Sequence, residues 1–260
     1  MVKRGLVWFK NDLRLHDNEA LIRANEECSE LLCCYCLERS DFDMHDLRFR
    51  KMDINRFRFL EQSIIDLQHN LELLGCPLFI GQESALVTLP ELVSKYGITD
   101  IYAEEQYASY ELDLVKKVIA SLPETRFHFF WGKTLYHKDD IPFEIEKIPL
   151  TSKAYRIPAA QEAEPREPFA IPASINPVKE IKSNRFPSYA EYGFVEEEYK
   201  RAAPFVPGGE FAALERLEYY TFKSELLTGY RWSRNRSDGL DYSSKLSPYL
   251  ALGTETGRTV

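Results

Sequence analysis

Two glycine signatures are missing from this 260-residue chain: neither G-x-G-x-x-G nor G-x-x-x-x-G-K-[ST] occurs. That sets aside the common dinucleotide and NTP modules, whose glycine-rich turns wrap a phosphate in backbone N–H groups. Long apolar runs are missing too. Nothing approaches the roughly 20 residues of a membrane-spanning helix, and MVKRGLVWF leads into charged KNDLR rather than a cleavable apolar segment, so no membrane role is expected. Cysteine is sparse. Cys28, Cys33, Cys34, Cys36 and Cys76 are odd in number and irregularly spaced, which excludes a disulfide framework and suits a reduced, cytoplasmic setting. Cys33 and Cys36 have C-x-x-C spacing, but no second pair completes a metal site. Their run, LLCCYCL, reads as a buried strand with small apolar fillers. No internal repeat or low-complexity tract is evident.

The length that is present suits one large domain or two smaller ones. Net charge is −8 and unevenly placed: residues 1–150 hold 18 Lys and Arg against 26 Asp and Glu, whereas 151–260 hold 15 of each. Each phosphate contact wants a cation, so contact with nucleic acid is expected from the second half.

Residues 1–136 alternate short apolar runs with amphipathic stretches. Gly5–Phe9, Leu31–Leu37, Leu78–Gly81, Asp100–Ala103 and Phe127–Trp131 read as five strands. Between them, Phe57, Leu60, Ile64, Leu67, Leu71 and Leu74 recur at spacings of three and four, one apolar stripe of a helix that Gly75 stops. A second helix is expected from Ala85 to Tyr96, interrupted by Pro90, and a third from Glu111 to Ser121 with Leu112, Val115, Val118 and Ile119 inward. The fold class is α/β: a five-stranded, doubly wound parallel sheet, whose ligands sit beyond the strand carboxyl ends where strand order reverses. Residues 137–207 are expected to be an interdomain linker, since ten of the fourteen prolines fall between Pro142 and Pro207. Its acidic run Glu196, Glu197 and Glu198 reads as a solvated face. A helical unit is expected over 208–260, with Phe211, Leu214, Leu217 and Phe222 inward.

The run GLDYSSKLSPYLALG, Gly239 to Gly253, places Ser243, Ser244 and Ser247 around Lys245 before an apolar stretch. Such a run can offer hydroxyls and free N–H groups to a phosphate, or can simply cap a helix. VWFKNDLRLHDNEAL, Val7 to Leu21, reads as a charged loop at a strand's end, with Asp17 or Asn18 capping the next helix.

That loop strongly resembles the opening motif of the DNA photolyase/cryptochrome family. The resemblance recurs in RFRFLEQSIIDLQHNLELLG, in PGGEFAALERL and in GYRWSRNRSDGLDYSSKLSPYLALG, the last looking most like the DASH branch. It implies an α/β antenna domain joined by a long loop to an all-helical domain that holds FAD. In that family, light-excited reduced flavin passes an electron to a cyclobutane pyrimidine dimer flipped out of DNA. DASH members prefer single-stranded substrates. Carried onto this sequence, Tyr230 matches the flavin-contacting tyrosine, and Ser243, Ser244, Lys245, Leu246 and Ser247 match the FAD-phosphate stretch. Arg234 matches a position that meets the DNA backbone. A core aromatic and a surface cation are the bland readings of Tyr230 and Arg234. Family members often hold a folate, 5,10-methenyltetrahydrofolate, through an acidic side chain after the fourth strand. Here Gln106 to Ala108 take that place, with Glu105 and Glu111 nearby. Lys10, Asp12 and Arg14 face the antenna cleft or form a mutual salt-bridge network.

The resemblance therefore implies the N-terminal portion of a DASH-type photolyase, repairing ultraviolet-damaged DNA in its complete form. No catalytic residue is assigned within the chain, and no repair by the 260 residues alone is expected. A blue-light signalling receptor without repair activity and a stand-alone nucleotide- or folate-binding module are the alternatives.

Overall fold

The computed structural model describes residues 2–44 and 48–259. Five strands, β1 (Arg4–Phe9), β2 (Glu30–Cys36), β3 (Leu78–Gly81), β4 (Asp100–Glu104) and β5 (Arg126–Phe130), form one parallel sheet in the order β3-β2-β1-β4-β5. Each expected strand lies within one residue of its place. Side chains on a strand alternate between faces, so β1 sends Val7 and Phe9 into one apolar layer and Leu6 and Trp8 into the other. The first layer is closed by α1 (Glu19–Glu27) and α2 (Ile54–Leu73), the second by α3 (Ala85–Tyr96) and α4 (Ser109–Ser121). Cys33 and Cys34 fill opposite layers of β2.

Asn18 caps α1 by accepting from the Leu21 N–H. In α2 the buried stripe is Phe57, Leu60, Ile64, Leu67 and Leu71, each worth on the order of 1.5–3 kcal/mol when removed from water. Gly75, at φ +83°, then turns the chain out of the helix. Pro90 does not interrupt α3, which runs through it to Gly97. On α4 only Val115 and Val118 are buried, and the expected inward Leu112 and Ile119 stay exposed. β5 is an edge strand whose residues are all partly open, and the helix above it has less to cover.

Residues 137–207 are more ordered than a bare connection. They carry α5 (Ser152–Glu162), α6 (Glu196–Arg201) and two 3-10 turns, and they bury Ile175, Val178, Ile181, Tyr192 and Phe194. The reason lies in β3, whose four residues begin pairing only at Cys33, leaving the start of β2 with a free edge. There the Leu31 N–H donates to the Asn176 carbonyl at 2.8 Å and the Val178 N–H to the Leu31 carbonyl at 2.9 Å. Glu196, Glu197 and Glu198 form the exposed first turn of α6.

Beyond them lie α7 (Glu210–Glu218), a π turn over Tyr219–Lys223, α8 (Leu226–Ser233) and α9 (Ser247–Leu252). The buried side of α7 and its π turn is Glu210, Ala213, Leu217 and Tyr220. Of the four expected inward positions, only Leu217 is buried; Phe211 is 64% exposed, Phe222 78%, and Leu214 is also on the surface. Gly208 and Gly209 set this phase. A Cβ at Gly208 would lie 2.3 Å from the Phe59 carbonyl oxygen, so the chain meets α2 backbone to backbone just before α7 begins. No described helix is long and apolar enough to cross a membrane.

Candidate cofactor-binding site

The turn that leaves β1 sits where strand order reverses, between β2 and β4. Beside it is a cavity of about 90 Å3, lined in part by Trp8, Lys10, Asn11, Gln106, Tyr110 and Glu111. The Lys10 Nζ donates to the Glu104 carbonyl at 2.7 Å and lies over the Trp8 ring. Burial lowers its ammonium to about 8. Asn11 Nδ2 donates to Glu111 Oε1 at 3.1 Å, and Lys133 Nζ donates to Gln106 Oε1 at 3.0 Å. Lys10, Gln106 and Glu111 are thus brought together. Glu105 turns away to pair with Lys138 at 2.7 Å. Asp12 and Arg14 are buried beneath the cleft rather than lining it. A neighbour that sequence reading did not name is Glu104, the last residue of β4, 3.9 Å from Arg14 Nη2 and 3.6 Å from Lys133 Nζ, with neither carboxylate oxygen hydrogen-bonded among the described residues. Burial and the neighbouring Asp12 charge push Glu104 up to about 8. Strand alternation alone, which puts it on the Tyr102 face, was the available signal. At about 90 Å3 the cleft is smaller than the roughly 300–1,000 Å3 of ordinary ligand pockets.

The rest of the β1–α1 loop is a joint. Glu210, at the start of α7, accepts from the N–H groups of Leu15 and His16, each at 2.9 Å. Its carboxylate also meets the His16 Nδ1, while His16 Nε2 lies 3.1 Å from Glu255. Asp17, held at φ +48°, takes Arg258 in a two-pronged pair at 2.8 and 2.6 Å and the Thr256 hydroxyl at 2.8 Å. Arg14 donates to the Gly253 carbonyl at 2.9 Å. Gly253, at φ +63°, packs so closely that a Cβ there would stand 2.0 Å from the Asn11 carbonyl oxygen.

The serine-rich run lies on the far side of that joint. The hydroxyls of Ser243, Ser244 and Ser247 make no hydrogen bond among the described residues, and no side chain caps α9. The helix-cap alternative is therefore not what these serines do. Lys245 sits at φ +62° with its ammonium over the rings of Tyr242 and Phe205. Leu246 is buried in the α2-side layer, so its side chain is out of reach of a ligand, and its carbonyl accepts from the Leu250 N–H at 3.0 Å. Carbonyl groups of this loop turn inward instead: Arg216 of α7 takes those of Leu240, Ser243 and Ser244, and the Ser233 hydroxyl takes that of Tyr242 at 2.9 Å. Two open grooves, of about 380 and 560 Å3, flank the loop. Tyr230 on α8 is half-exposed, Trp232 is 80% exposed, and Arg234 is open to solvent just past the helix. Unpartnered hydroxyls with the carbonyls drawn away suit an anionic, phosphate-bearing cofactor end.

The sequence model of the DNA photolyase family matches residues 5–173. A protein named cryptochrome DASH from Gloeobacter violaceus is 35% identical over 263 residues, spanning 99% of this chain and 52% of its own length. A chloroplastic/mitochondrial cryptochrome DASH of Arabidopsis thaliana is 33% identical over 261 residues, spanning 98% of this chain and 46% of its own. The crystal structure of a Synechocystis cryptochrome matches with a TM-score of 0.90 at 31% identity, covering 100% of this chain and 55% of that one. The chain spans about half the length of the curated relatives it matches.

Proposed function

The chain belongs to the DNA photolyase family, and from that premise we propose that it holds the phosphate end of FAD in a DASH-type cryptochrome that repairs cyclobutane pyrimidine dimers by light, preferring single-stranded DNA. The observation that carries this reading is the loop 243–247, whose three serine hydroxyls are unpartnered among the described residues while the carbonyls of Tyr242, Ser243 and Ser244 are bonded inward. When bound, FAD would supply the light-driven electron transfer that splits the dimer. The protein's own part is binding and orientation. Ser243, Ser244 and Ser247 donate hydroxyl protons to phosphate oxygens, and Lys245, next to them, offsets the negative charge. Leu246 anchors the loop by burial, and the half-exposed Tyr230 ring offers an apolar wall. Arg234 contacts DNA phosphate, which positions the strand and carries no sequence information. Single-stranded substrate spares the unpairing that a duplex demands before a base can be extruded. No light-gathering role is assigned to Lys10, Gln106 or Glu111.

Titration of the purified chain with FAD, read by flavin fluorescence, tests the cofactor half of this reading. Binding of dimer-containing oligonucleotides against undamaged ones, single-stranded and duplex, tests the other half. FAD held more tightly than riboflavin, which lacks the phosphates, and dimer-DNA binding weakened by Arg234→Ala are the expected outcomes. A chain that prefers neither FAD over riboflavin nor damaged DNA over undamaged overturns it.

A further inference from the structure

Arg216 was unremarked in the sequence, one more arginine in ALERLEYY. Its side chain is only 12% exposed, and its guanidinium is spent almost entirely on one loop. Nε donates to the Ser244 carbonyl at 2.8 Å, and Nη2 donates to those of Leu240 at 2.8 Å and Ser243 at 3.1 Å. Nη1 reaches the Asp241 carboxylate at 3.3 Å. The rings of Tyr219 and Tyr220, 5.3 and 5.6 Å from the guanidinium carbon, hold it in place. One planar fork therefore gathers three backbone carbonyls and a carboxylate from four residues of the stretch 240–244.

We propose that Arg216 is a positioning residue for the cofactor phosphates, acting through the loop 240–244; this rests on the assignment of Ser243–Ser247 to FAD. The physics is that of a peptide group beside an anion. A carbonyl turned toward a pyrophosphate repels it, whereas an N–H or hydroxyl attracts it. By capturing the carbonyls of Leu240, Ser243 and Ser244, Arg216 removes the repulsive half of those dipoles from the binding side. Its charge also lies against the loop, offset in part by the Asp241 carboxylate 3.3 Å away. A lysine could supply the charge but not the fork, because an ammonium is a point donor that cannot hold three divergent carbonyls in fixed directions.

The test compares Arg216→Met, Arg216→Lys and a surface control, Arg185→Met, in the full chain, with FAD and riboflavin as probes. Circular dichroism and melting temperature are read alongside. Expected is a loss of FAD affinity of about tenfold or more in Arg216→Met, consistent with losing one or more charge-assisted hydrogen bonds. Arg216→Lys falls between it and the wild type, Arg185→Met matches the wild type, and riboflavin affinity is unchanged in every variant. A purely architectural arginine would shift FAD and riboflavin together. If wild type favours FAD while both Arg216 variants retain that preference, the positioning role is wrong and the cofactor assignment survives. If wild type itself shows no preference, the cofactor assignment fails and takes this role with it. If both Arg216 variants unfold, Arg216 is a residue of the fold and the positioning role is overturned.

Discussion

Glu210 and His16 settle how the first loop meets the first helix beyond the linker. A carboxylate that serves two backbone N–H groups and an imidazole is hard to replace, because each donor left buried without an acceptor costs about 1–3 kcal/mol. Burial alone would lower the His16 pKa, but its hydrogen bonds and charge interactions with Glu210 and Glu255 outweigh burial and raise it from 6.5 to about 9. A histidine raised in the folded state contributes stability that is fully present below pH 6.5 and is lost as pH climbs through 9. Glu104 and Lys10 titrate across part of the same range, so the informative quantity is the difference between two proteins. Urea unfolding of His16→Asn and wild type should differ by about 2–3 kcal/mol at pH 6.5 and converge toward pH 9. Parallel pH profiles would show that the imidazole is not held as a cation.

Among the elements, α7 and the π turn that follows it give the sharpest contrast between apolar character and burial. Leu217→Ala should lower stability by about 2–4 kcal/mol, whereas Phe222→Ala, though it removes a larger side chain, should change it by less than about 0.5 kcal/mol. Equal losses in denaturant titration would mean that the helix packs on its other side. That helix also marks where sequence reading stops. Strand alternation and the stripe of α2 are local patterns imposed by one large neighbour, the sheet, and they were legible almost to the residue. The phase of α7 follows from Gly208 meeting the α2 backbone at Phe59 and Gly209 the Asp66 side chain, contacts between segments some 150 positions apart that no periodicity records. Residues 175–178 likewise dock because β3 is short, a fact about another segment's length. At the candidate site, Ser243–Ser247 stand out by composition. Arg216 does not, since what distinguishes it is the direction of carbonyls it never adjoins in sequence. Glu104 escaped for the same reason, its importance arising from the burial of Asp12 and Arg14 around it.

For the whole molecule, the decisive feature is the strap from Leu252 to Arg258 across the β1–α1 loop. The Leu13 N–H donates to the Leu252 carbonyl at 3.2 Å, and the Asp17–Arg258 pair is almost wholly buried. Breaking a buried pair by removing one partner leaves an uncompensated charge, a loss of about 3–5 kcal/mol. Arg258→Met should therefore speed amide hydrogen exchange over residues 252–257 while the central strands β1 and β2 keep their protection. Uniform loss of protection everywhere would make the strap part of the sheet's own stability instead.

Asp17 and Arg258 are 241 positions apart, and that separation bears on how the chain emerges from a ribosome. At about 5–20 residues per second, the loop after β1 waits on the order of 10–50 seconds for its guanidinium to be made. Throughout that interval the sheet can assemble, since its own strands lie within the first 130 positions. The Phe169 N–H, 3.1 Å from Asp17 Oδ1, can hold one carboxylate oxygen earlier, but Oδ2 waits for the Thr256 hydroxyl and the Arg258 Nε. Synthesis thus completes the β1–α1 loop from a segment made more than two hundred residues later, and a nascent polypeptide stalled before Arg258 carries a finished sheet whose β1–α1 loop is not yet fully fastened.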